Sequence, residues 1–233
     1  MLREILAANL NLSARQLDQF EIFYRAVLNW NEKINLTALT GAENFAIKHV
    51  IDSLTVWDET KFAGGGKVID VGTGAGFPGI PLKIFKPEIE IVLLDSLDKR
   101  VKFLRSVVEE LNLSGVKCVH GRAEDLAHDK NYRERFDLVT ARAVARLNVI
   151  AEYCLPFAKV GGIFAAMKGK NFREEIAEAG AAVKILGGGE IQCVEKNLPN
   201  LPDIRAVIYV DKKKSAPKNF PRKAGVPAKN PLH

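Results

Sequence analysis

The spacing of apolar residues divides the chain into a helical first part and a longer part in which strands alternate with helices. Within residues 1–58, Ser13 and Gln16 form the capping-box pattern that precedes many helices. Two sets of apolar residues at helical spacing follow, Leu17, Phe20, Tyr24, Val27 and Leu28, and then Ile47, Val50, Ile51, Leu54 and Trp57. The glycines at 64–66 predict a break after this helical part.

Short apolar runs separated by helical patterns follow the break. We predict strands at 67–71, 89–95, 116–119, 136–140, 163–167, 191–194 and 204–210, the last two as a pair. We predict helices that end near Phe85 and Leu111, and helices over 144–158 and 171–184. Because strands that alternate with helices form parallel βαβ units, the expected fold class is α/β. It has a Rossmann-like, doubly wound and mostly parallel sheet behind an N-terminal helical extension.

These elements divide the chain into a helical cap at residues 1–60, a sheet domain at 61–211 and a C-terminal arm at 212–233. The arm is rich in lysine and arginine, and prolines interrupt it at Pro217, Pro221, Pro227 and Pro231. Because proline lacks a backbone N–H and breaks helices, we expect an extended basic arm that contains no regular helix.

Composition limits the setting in which the protein works. A chain of 233 residues, 47% of them hydrophobic, buries a core of its own, and we find neither a membrane-spanning apolar run nor a signal-peptide pattern. The cysteines are widely spaced and odd in number, and the histidines form no ligand pair with them. We therefore expect the reducing cytoplasm, no disulfide and no bound metal. The net charge of +6 is weak support for a polyanionic partner.

The glycine-rich turn after the first predicted strand is the main candidate ligand site, because open α/β sheets bind ligands at the carboxyl ends of their strands. Gly72, Gly74 and Gly76 permit positive φ angles and a close approach of the backbone to a ligand. Asp70 lies two residues before them, where its carboxylate can meet the ammonium group of S-adenosylmethionine. This spacing fits a methyltransferase that uses S-adenosylmethionine.

The same turn also fits a dinucleotide. Gly74-x-Gly76-x-x-Gly79, with acidic Asp95 about 20 residues further on, matches the fingerprint of NAD-binding enzymes. The turn by itself therefore leaves an NAD-dependent oxidoreductase open as an alternative to the methyltransferase.

Residues downstream of the turn favour the methyltransferase. Asp95 ends the second predicted strand, where its carboxylate can accept hydrogen bonds from both ribose hydroxyls or cap the next helix. The segment after the third strand places the backbone of Ala123 and Glu124 beside the expected adenine, unless a short helix begins at Glu124 or Asp125. An oxidoreductase would need a separate substrate domain, and too little chain follows Asp95 to form one.

The segment after the fourth predicted strand bears on the methyl acceptor. Enzymes that methylate exocyclic amines often carry an Asn-Pro-Pro-Tyr-like box there, whereas this chain carries Arg142. The missing box fits a ring nitrogen such as guanine N7, which has a free lone pair and requires no general base. We assign no catalytic residue. Arg142 is the best candidate for positioning the acceptor, through guanine O6/N7 or a phosphate, or else forms a salt bridge near the cofactor.

Six segments, spread over nearly the whole chain, carry the signature of one family. They are Asn29–Thr37, His49–Leu54, Val68–Leu82, Gly121–Leu126, Asp137–Arg146 and Pro221–Lys229. Together they resemble the RsmG (GidB) family of small-subunit rRNA guanine-N7 methyltransferases. The resemblance implies a class I SAM-dependent methyltransferase fold, S-adenosylmethionine as the donor, and a 7-methylguanine product in the decoding-centre loop of 16S rRNA.

The resemblance also implies which residues contact S-adenosylmethionine. It carries over Gly72, Phe77, Ala123, Glu124 and Arg142; Phe77 acts through its backbone or as an apolar contact, unless it simply packs in the core. With the remaining residues of the turn and the second strand, the predicted cofactor set is Gly72, Gly74, Gly76, Phe77, Asp95, Ala123, Glu124 and Arg142.

RNA binding is expected on a basic surface, since the sequence shows no zinc-finger, RRM or KH pattern. The predicted RNA-binding residues are Arg146, Lys168, Arg222 and Lys223, with Arg142 and Lys170 as further candidates. Replacing Arg222 and Lys223 with Ala is expected to weaken RNA binding and its salt dependence, unless the arm is only a solvated charge run.

The sequence leaves open the roles of His49 and Asp52 and one further alternative for the function. His49 and Asp52, one helical turn apart in the cap, either close over the methyl group or bond each other. We expect a monomer whose partner is 16S rRNA or the small ribosomal subunit, without contact to DNA or a membrane. A non-catalytic RNA-binding assembly factor is a third alternative, against which the intact set of Asp70, the three turn glycines and Asp95 argues.

Overall fold

The computed structural model of the chain describes residues 1–62 and 66–233. Of the predicted break, Gly64 and Gly65 lie outside the described residues. The helices are α1 (Leu2–Asn9), α2 (Ala14–Ile34), α3 (Ala42–Asn44), a π-helix (Phe45–Ile51), α4 (Asp52–Leu54), α5 (Gly79–Phe85), α6 (Asp98–Glu110), α7 (Ala123–Leu126), α8 (Leu147–Cys154), α9 (Phe172–Ile185) and α10 (Val226–Lys229). In the described ranges no helix is long and apolar enough to cross a membrane.

One sheet of seven strands forms the centre of the fold, in the order β3-β2-β1-β4-β5-β7-β6. The strands are β1 (Lys67–Val71), β2 (Glu90–Asp95), β3 (Val116–His120), β4 (Phe136–Arg142), β5 (Ala158–Lys168), β6 (Gly188–Lys196) and β7 (Arg205–Lys212). Strands β1 to β5 pair in parallel, and β7 lies antiparallel between β5 and β6. The predicted doubly wound, mostly parallel sheet is confirmed. Strand order reverses between β1 and β4, which places the ligand crevice at their carboxyl ends.

The bounds of α8, β5 and β4 differ from the prediction. The helix predicted at 144–158 begins only at Leu147, because Ala143 has a left-handed φ of 54° and Arg146 is extended, with φ −61° and ψ 156°. Strand β5 begins at Ala158, before the predicted 163. Strand β4 continues to Arg142, so this side chain leaves the sheet at the crevice.

The helical cap packs on one face of the sheet through aromatic rings. Its predicted capping box is confirmed, because Ser13 N donates to Gln16 Oε1 at 2.9 Å and Gln16 N donates to Ser13 Oγ at 3.3 Å. The ring centroid of Phe77, after the glycine-rich turn, lies 5.2 Å from that of Phe23 and 5.7 Å from that of Phe45. These three rings are buried, so the cap and the turn share one core.

The C-terminal arm follows the surface of the sheet domain and contains one short helix. Ala216 and Pro227 are buried, and Phe220 packs against the core on the α8 side of the sheet. The expectation of an arm without a regular helix is wrong for Val226–Lys229, which form the single turn α10. Pro227 is compatible with it because the first turn of a helix leaves its N–H groups unpaired.

Candidate active site

The glycine-rich turn joins β1 to α5 through three residues with positive φ, 72° at Gly72, 60° at Gly74 and 91° at Gly76. A Cβ atom at Gly72 would lie 2.8 Å from Val144 Cγ2, which is too close for any real side chain. Glycine is therefore required where the segment after β4 crosses the turn.

Asp70, at the end of β1, is a fully buried carboxylate beneath the turn. Its Oδ2 accepts hydrogen bonds from Thr73 Oγ1 at 2.6 Å and from Gly79 N at 2.8 Å. Its Oδ1 has no hydrogen-bond partner among the described residues. Burial raises the pKa of Asp70 to about 6, although both hydrogen bonds oppose this rise. A free, buried carboxylate oxygen of this kind is suited to a cationic ligand group.

Asp95 supports the turn from the end of β2. Its Oδ2 accepts from Gly74 N at 2.9 Å, and its Oδ1 accepts from Leu97 N at 2.9 Å, just before α6. The carboxylate thus holds the backbone that enters the helix, as one of the two sequence interpretations proposed. Each oxygen keeps a lone pair for a further donor, so ribose binding stays compatible with this contact.

A cavity of about 150 Å³ lies between the ends of β1 and β2 and the start of α7. Four predicted cofactor residues line it, Gly72, Asp95, Ala123 and Glu124, together with Val144 and Tyr153 from the other side. We call it the cofactor cavity. The short helix that the sequence left open is present as α7, and the buried Glu124 accepts a hydrogen bond at Oε1 from Gly225 N of the arm at 2.9 Å.

Arg142 is held by the cap on the other side of the crevice. Its Nη1 donates to Lys48 O and to Asp52 Oδ2, each at 3.0 Å, and its Nη2 lies 3.2 Å from His49 Nδ1. The guanidinium carbon lies 5.0 Å from the ring centroid of Phe77. His49 and Asp52, whose roles the sequence left open, therefore both bind Arg142 instead of each other.

The π-helix and the end of α2 fix the orientation of His49. Its ring stacks on Phe77, with centroids 4.4 Å apart and an interplanar angle of 13°. His49 Nε2 lies 3.0 Å from Thr37 Oγ1, and Thr37 N donates to Asn31 Oδ1 at 2.8 Å. If Nδ1 accepts from Arg142, Nε2 carries the proton and donates to Thr37. Single π-helical stretches of this kind recur at functional sites.

The pKa values of His49, Asp52 and Arg142 are shifted by their burial and by one another's charges. Burial, reinforced by the positive charge of Arg142, lowers the pKa of His49 to about 3, so His49 is a neutral acceptor at physiological pH. Burial raises the pKa of Asp52, against the charges of Arg142 and Arg205. Burial also lowers the pKa of Arg142, which stays cationic as guanidinium groups do in proteins.

A second cavity of about 570 Å³ opens beside Arg142, and we call it the acceptor cavity. Its lining includes Lys48, His49, Asp52, Arg142, Val144, Arg146, Met167, Lys168, Glu175 and Arg205. Val144 lines both cavities, so they adjoin there. A hollow of about 620 Å³ at the opposite end of the strands contains none of the predicted site residues.

Sequence reasoning missed Arg205, the first residue of β7. Its Nε is buried and makes no hydrogen bond to any described residue. Because β7 runs antiparallel beside β5, with Ala206 opposite Lys168, its first residue lies at the same edge as the carboxyl ends of the parallel strands. The sequence signal was a cation at a strand start, which carries meaning only once the strand order is known.

Comparison with known proteins decides the family. Residues 16–201 match the family model described as GidB: rRNA small subunit methyltransferase G. The chain belongs to this family. The proteins named Ribosomal RNA small subunit methyltransferase G from Brevibacillus brevis and Halalkalibacterium halodurans are 49% and 50% identical to it, over 98% and 95% of this chain and 97% and 93% of their own. A solved structure of a predicted O-methyltransferase from Agrobacterium tumefaciens shares the fold, with a TM-score of 0.52 and 17% identity over 72% of this chain and 81% of that one.

Membership in the rRNA small subunit methyltransferase G family confirms the predicted class of enzyme, an rRNA methyltransferase with S-adenosylmethionine as the methyl donor. It also decides between the two ligands that the glycine-rich turn left open. The residues present fit this donor, because the unpartnered Asp70 Oδ1 and the Asp95 carboxylate provide buried acceptors at the turn.

The structure separates the predicted RNA-binding residues into two groups. Arg146 and Lys168 line the acceptor cavity, where Arg146 Nη2 pairs with Glu178 Oε2 at 2.6 Å and Lys168 Nζ with Glu175 Oε2 at 2.7 Å. Two arm residues, Arg222 and Lys223, lie outside this cavity. Arg222 pairs with a buried glutamate of α8, whereas Lys223 is exposed and forms no ion pair within the described ranges.

Proposed function

We propose that this member of the family transfers the methyl group to N7 of one guanine in the decoding-centre loop of 16S rRNA, in line and without a general base. The observation that carries this proposal is the supply of donors in the acceptor cavity. Arg142 and Arg205 present N–H groups there that can donate to guanine O6 or to a phosphate, which positions the base and leaves the N7 lone pair free for the methyl group.

Both carboxylates of the acceptor cavity already accept hydrogen bonds from other groups of the protein. Asp52 accepts from Arg142, and Glu175 accepts from Lys168 and from Leu147 N at 2.7 Å. His49 Nδ1 faces the Arg142 guanidinium. A proton-bearing acceptor would need a base, whereas guanine N7 has a free lone pair and no proton to lose, so this cavity suits N7.

On the cofactor side, we assign the predicted set to binding S-adenosylmethionine, except Arg142, which lines the acceptor cavity. S-adenosylmethionine supplies an electrophilic methyl group when it is bound. Asp70 and Asp95 provide carboxylates for the ammonium and the ribose, and the backbone at Ala123 and Glu124 borders the adenine. Phe77 acts indirectly, since its ring packs under His49 and Arg142. The protein contributes by orienting donor and acceptor in line, and orientation alone lowers such barriers by roughly 7–11 kcal/mol.

The proposal includes the partner and the setting. We infer that the chain acts as a monomer in the cytoplasm on 16S rRNA or the small ribosomal subunit, and binds neither DNA nor a membrane. We assign Lys223 to binding RNA phosphates. Arg146 and Lys168 join it when RNA phosphates replace their present carboxylate partners, Glu178 and Glu175. The three cysteines are free thiols, which suits a reducing compartment.

The test is methyl transfer from labelled S-adenosylmethionine to unmodified 16S rRNA, offered as free RNA and as small subunits, with the product nucleotide mapped. We expect 7-methylguanine at one position, and the better substrate identifies the true partner. Label on another base or another atom would overturn the proposal.

A further inference from the structure

The C-terminal arm is tied to the back of the cofactor cavity by a buried ion pair. Arg222 Nη2 donates to Glu152 Oε2 at 2.6 Å, and both Arg222 Nε and Arg222 N donate to Glu152 Oε1, at 2.9 and 2.8 Å. Glu152 is fully buried in α8, and its neighbour Tyr153 lines the cofactor cavity. Two-pronged arginine–carboxylate contacts are strong and geometrically specific, so this contact fixes the arm against α8.

The arm also bonds both ends of the segment that carries α7. Gly225 N donates to Glu124 Oε1 at 2.9 Å, and Pro221 O lies 2.8 Å from His128 Nε2. Gly225 has a φ of 82°, a conformation that turns the arm toward Glu124 at little cost only for glycine. The arm therefore contacts both α8 and the segment that carries α7.

Arg133 joins the arm to the same segment a second time. Its Nη1 donates to Phe220 O at 2.8 Å and to Ala127 O at 3.0 Å, and its Nη2 donates to Ala216 O at 2.9 Å. These bonds bridge the arm and the residue that directly follows α7. The contacts of the arm thus converge on the walls of the cofactor cavity.

We propose that the C-terminal arm is a strap for the cofactor site. It holds α7 and Tyr153 in the positions that shape the adenosine end of the cavity, and it thereby sets the affinity for S-adenosylmethionine. Arg222 is a positioning residue that acts through Glu152, and its charge is engaged inside the protein. The inference rests on the proposed placement of the adenosine beside Ala123 and Glu124.

Calorimetric titration of the full-length protein with S-adenosylmethionine tests the strap, at a temperature where circular dichroism shows every variant folded. Arg222→Ala is expected to raise Kd about tenfold, because loss of one partner in a coupled contact releases the others. Arg222→Lys is expected to recover part of the loss. The matched control Lys218→Ala removes one exposed positive charge from the same arm and is expected to leave Kd within about twofold of wild type.

The readouts separate positioning from general stability. For Arg222→Ala we expect KM for S-adenosylmethionine to rise while KM for the RNA, its salt dependence and kcat stay as in wild type. This replaces the prediction that Arg222 contacts RNA, because its guanidinium is bound to Glu152, and leaves that role in the arm to Lys223. If Arg222→Ala does not fold, His128→Ala, which removes one contact of the strap, is expected to raise Kd several-fold on its own.

A third variant distinguishes failure of the strap from failure of the proposed site. Ala123→Phe fills the cofactor cavity and is expected to abolish binding. If it leaves Kd unchanged, the adenosine lies elsewhere and the proposed placement is wrong. If Ala123→Phe weakens binding while Arg222→Ala and His128→Ala bind as wild type and only unfold at a lower temperature, the strap is overturned.

Discussion

The two adjoining cavities differ in charge and in the way the fold assembles them. The cofactor cavity is lined by Asp95 and Glu124, with Asp70 buried nearby and the exposed Arg122 at its rim. In the acceptor cavity the cations outnumber the carboxylates, and the two carboxylates, Asp52 and Glu175, pair with Arg142 and Lys168. In the placement we propose, a cationic donor and a polyanionic RNA meet surfaces of opposite charge on either side of Val144.

This difference shows how one crevice can accept two oppositely charged substrates. The acidic side is built within the sheet domain, from the ends of β1 and β2, the segment that carries α7, and Val144 and Tyr153. The basic side also needs the cap, which contributes Lys48, His49 and Asp52 to the ends of β4 and β5, the start of β7 and a residue of α9. We therefore expect substitutions on the cofactor side to change the affinity for S-adenosylmethionine, and substitutions on the acceptor side to change turnover.

The largest effect is expected from Arg142→Ala. Removing a preorganised donor at the reacting group commonly costs about 10²–10³ in kcat, and we expect this loss with only a few-fold change in Kd for S-adenosylmethionine. Arg142→Lys should rescue little, because an ammonium cannot replace the planar fork that binds Asp52 and His49. Single-turnover rates and calorimetry measure the two quantities. A large rise in Kd with unchanged turnover would move Arg142 to the cofactor side.

Asp95→Ala is expected to do the opposite, weakening the binding of S-adenosylmethionine while leaving turnover nearly unchanged. Loss of this carboxylate removes the acceptor for Gly74 N and for the ribose, and hydrogen bonds to charged groups contribute about 1.5–3 kcal/mol each. We expect Kd for S-adenosylmethionine to rise about 10- to 100-fold, with turnover at saturating donor close to wild type. Asp98→Ala, at an exposed residue of α6, is the matched control and should bind as wild type. Equal losses in both variants would contradict the assignment.

A smaller effect with opposite consequences for stability and binding is expected from Asp70→Asn. The folded-state pKa of about 6 lies above the ordinary value of 3.8, so between these values the folded protein binds more protons than the unfolded chain. The destabilisation caused by the buried charge is therefore absent below pH 4, grows as the pH rises and is complete above about 6. Denaturant titrations should show Asp70→Asn more stable than wild type by about 1–3 kcal/mol at pH 7, with the gain lost at pH 4.

The same substitution is expected to weaken the binding of S-adenosylmethionine about tenfold, because the amide cannot balance the ligand ammonium. For wild type, the affinity should fall as the pH drops through 6. A variant that gains stability equally at both pH values, or that binds as tightly as wild type, would show that the ionised Asp70 has no part in the site.

The smallest effect is expected from His49→Ala, which removes one acceptor from Arg142 and leaves Asp52 and Lys48 O in place. We expect kcat to fall several-fold with unchanged Kd for S-adenosylmethionine, and His49→Gln to recover part of it through its amide oxygen. Since His49 is neutral above pH 3, the pH–rate profile should contain no His49 titration near 6.5. An inflection there that disappears in His49→Gln would contradict the assigned role.

The sequence predicted the cofactor side more completely than the acceptor side, for a physical reason. Gly72, Asp95, Ala123 and Glu124 lie at or shortly after the carboxyl ends of strands, and the pairing of parallel strands brings these ends together. Periodicity and turn chemistry are local signals, so they were sufficient to predict that these residues line one cavity and that the sheet is doubly wound.

The acceptor side depends on contacts between residues far apart in the sequence. Arg142 was predicted, yet its partners in the cap were not, because the π-helix that presents His49 has no signal in the apolar spacing. Arg205 was missed because its position depends on the antiparallel insertion of β7 between β5 and β6. Likewise, the charge of the arm predicted RNA contacts, while the buried Glu152 that engages Arg222 became visible only in the fold.

We propose that the acceptor cavity presents guanine N7 to the methyl group. The most direct test uses 16S rRNA in which only the mapped target guanosine is replaced by 7-deazaguanosine, compared with the same ligated RNA carrying guanosine. We expect full transfer to the guanosine substrate and none to the 7-deaza substrate, because O6 and the Watson–Crick edge are intact and only N7 is missing. Transfer to both substrates at similar rates would contradict it and place the methyl group on another atom.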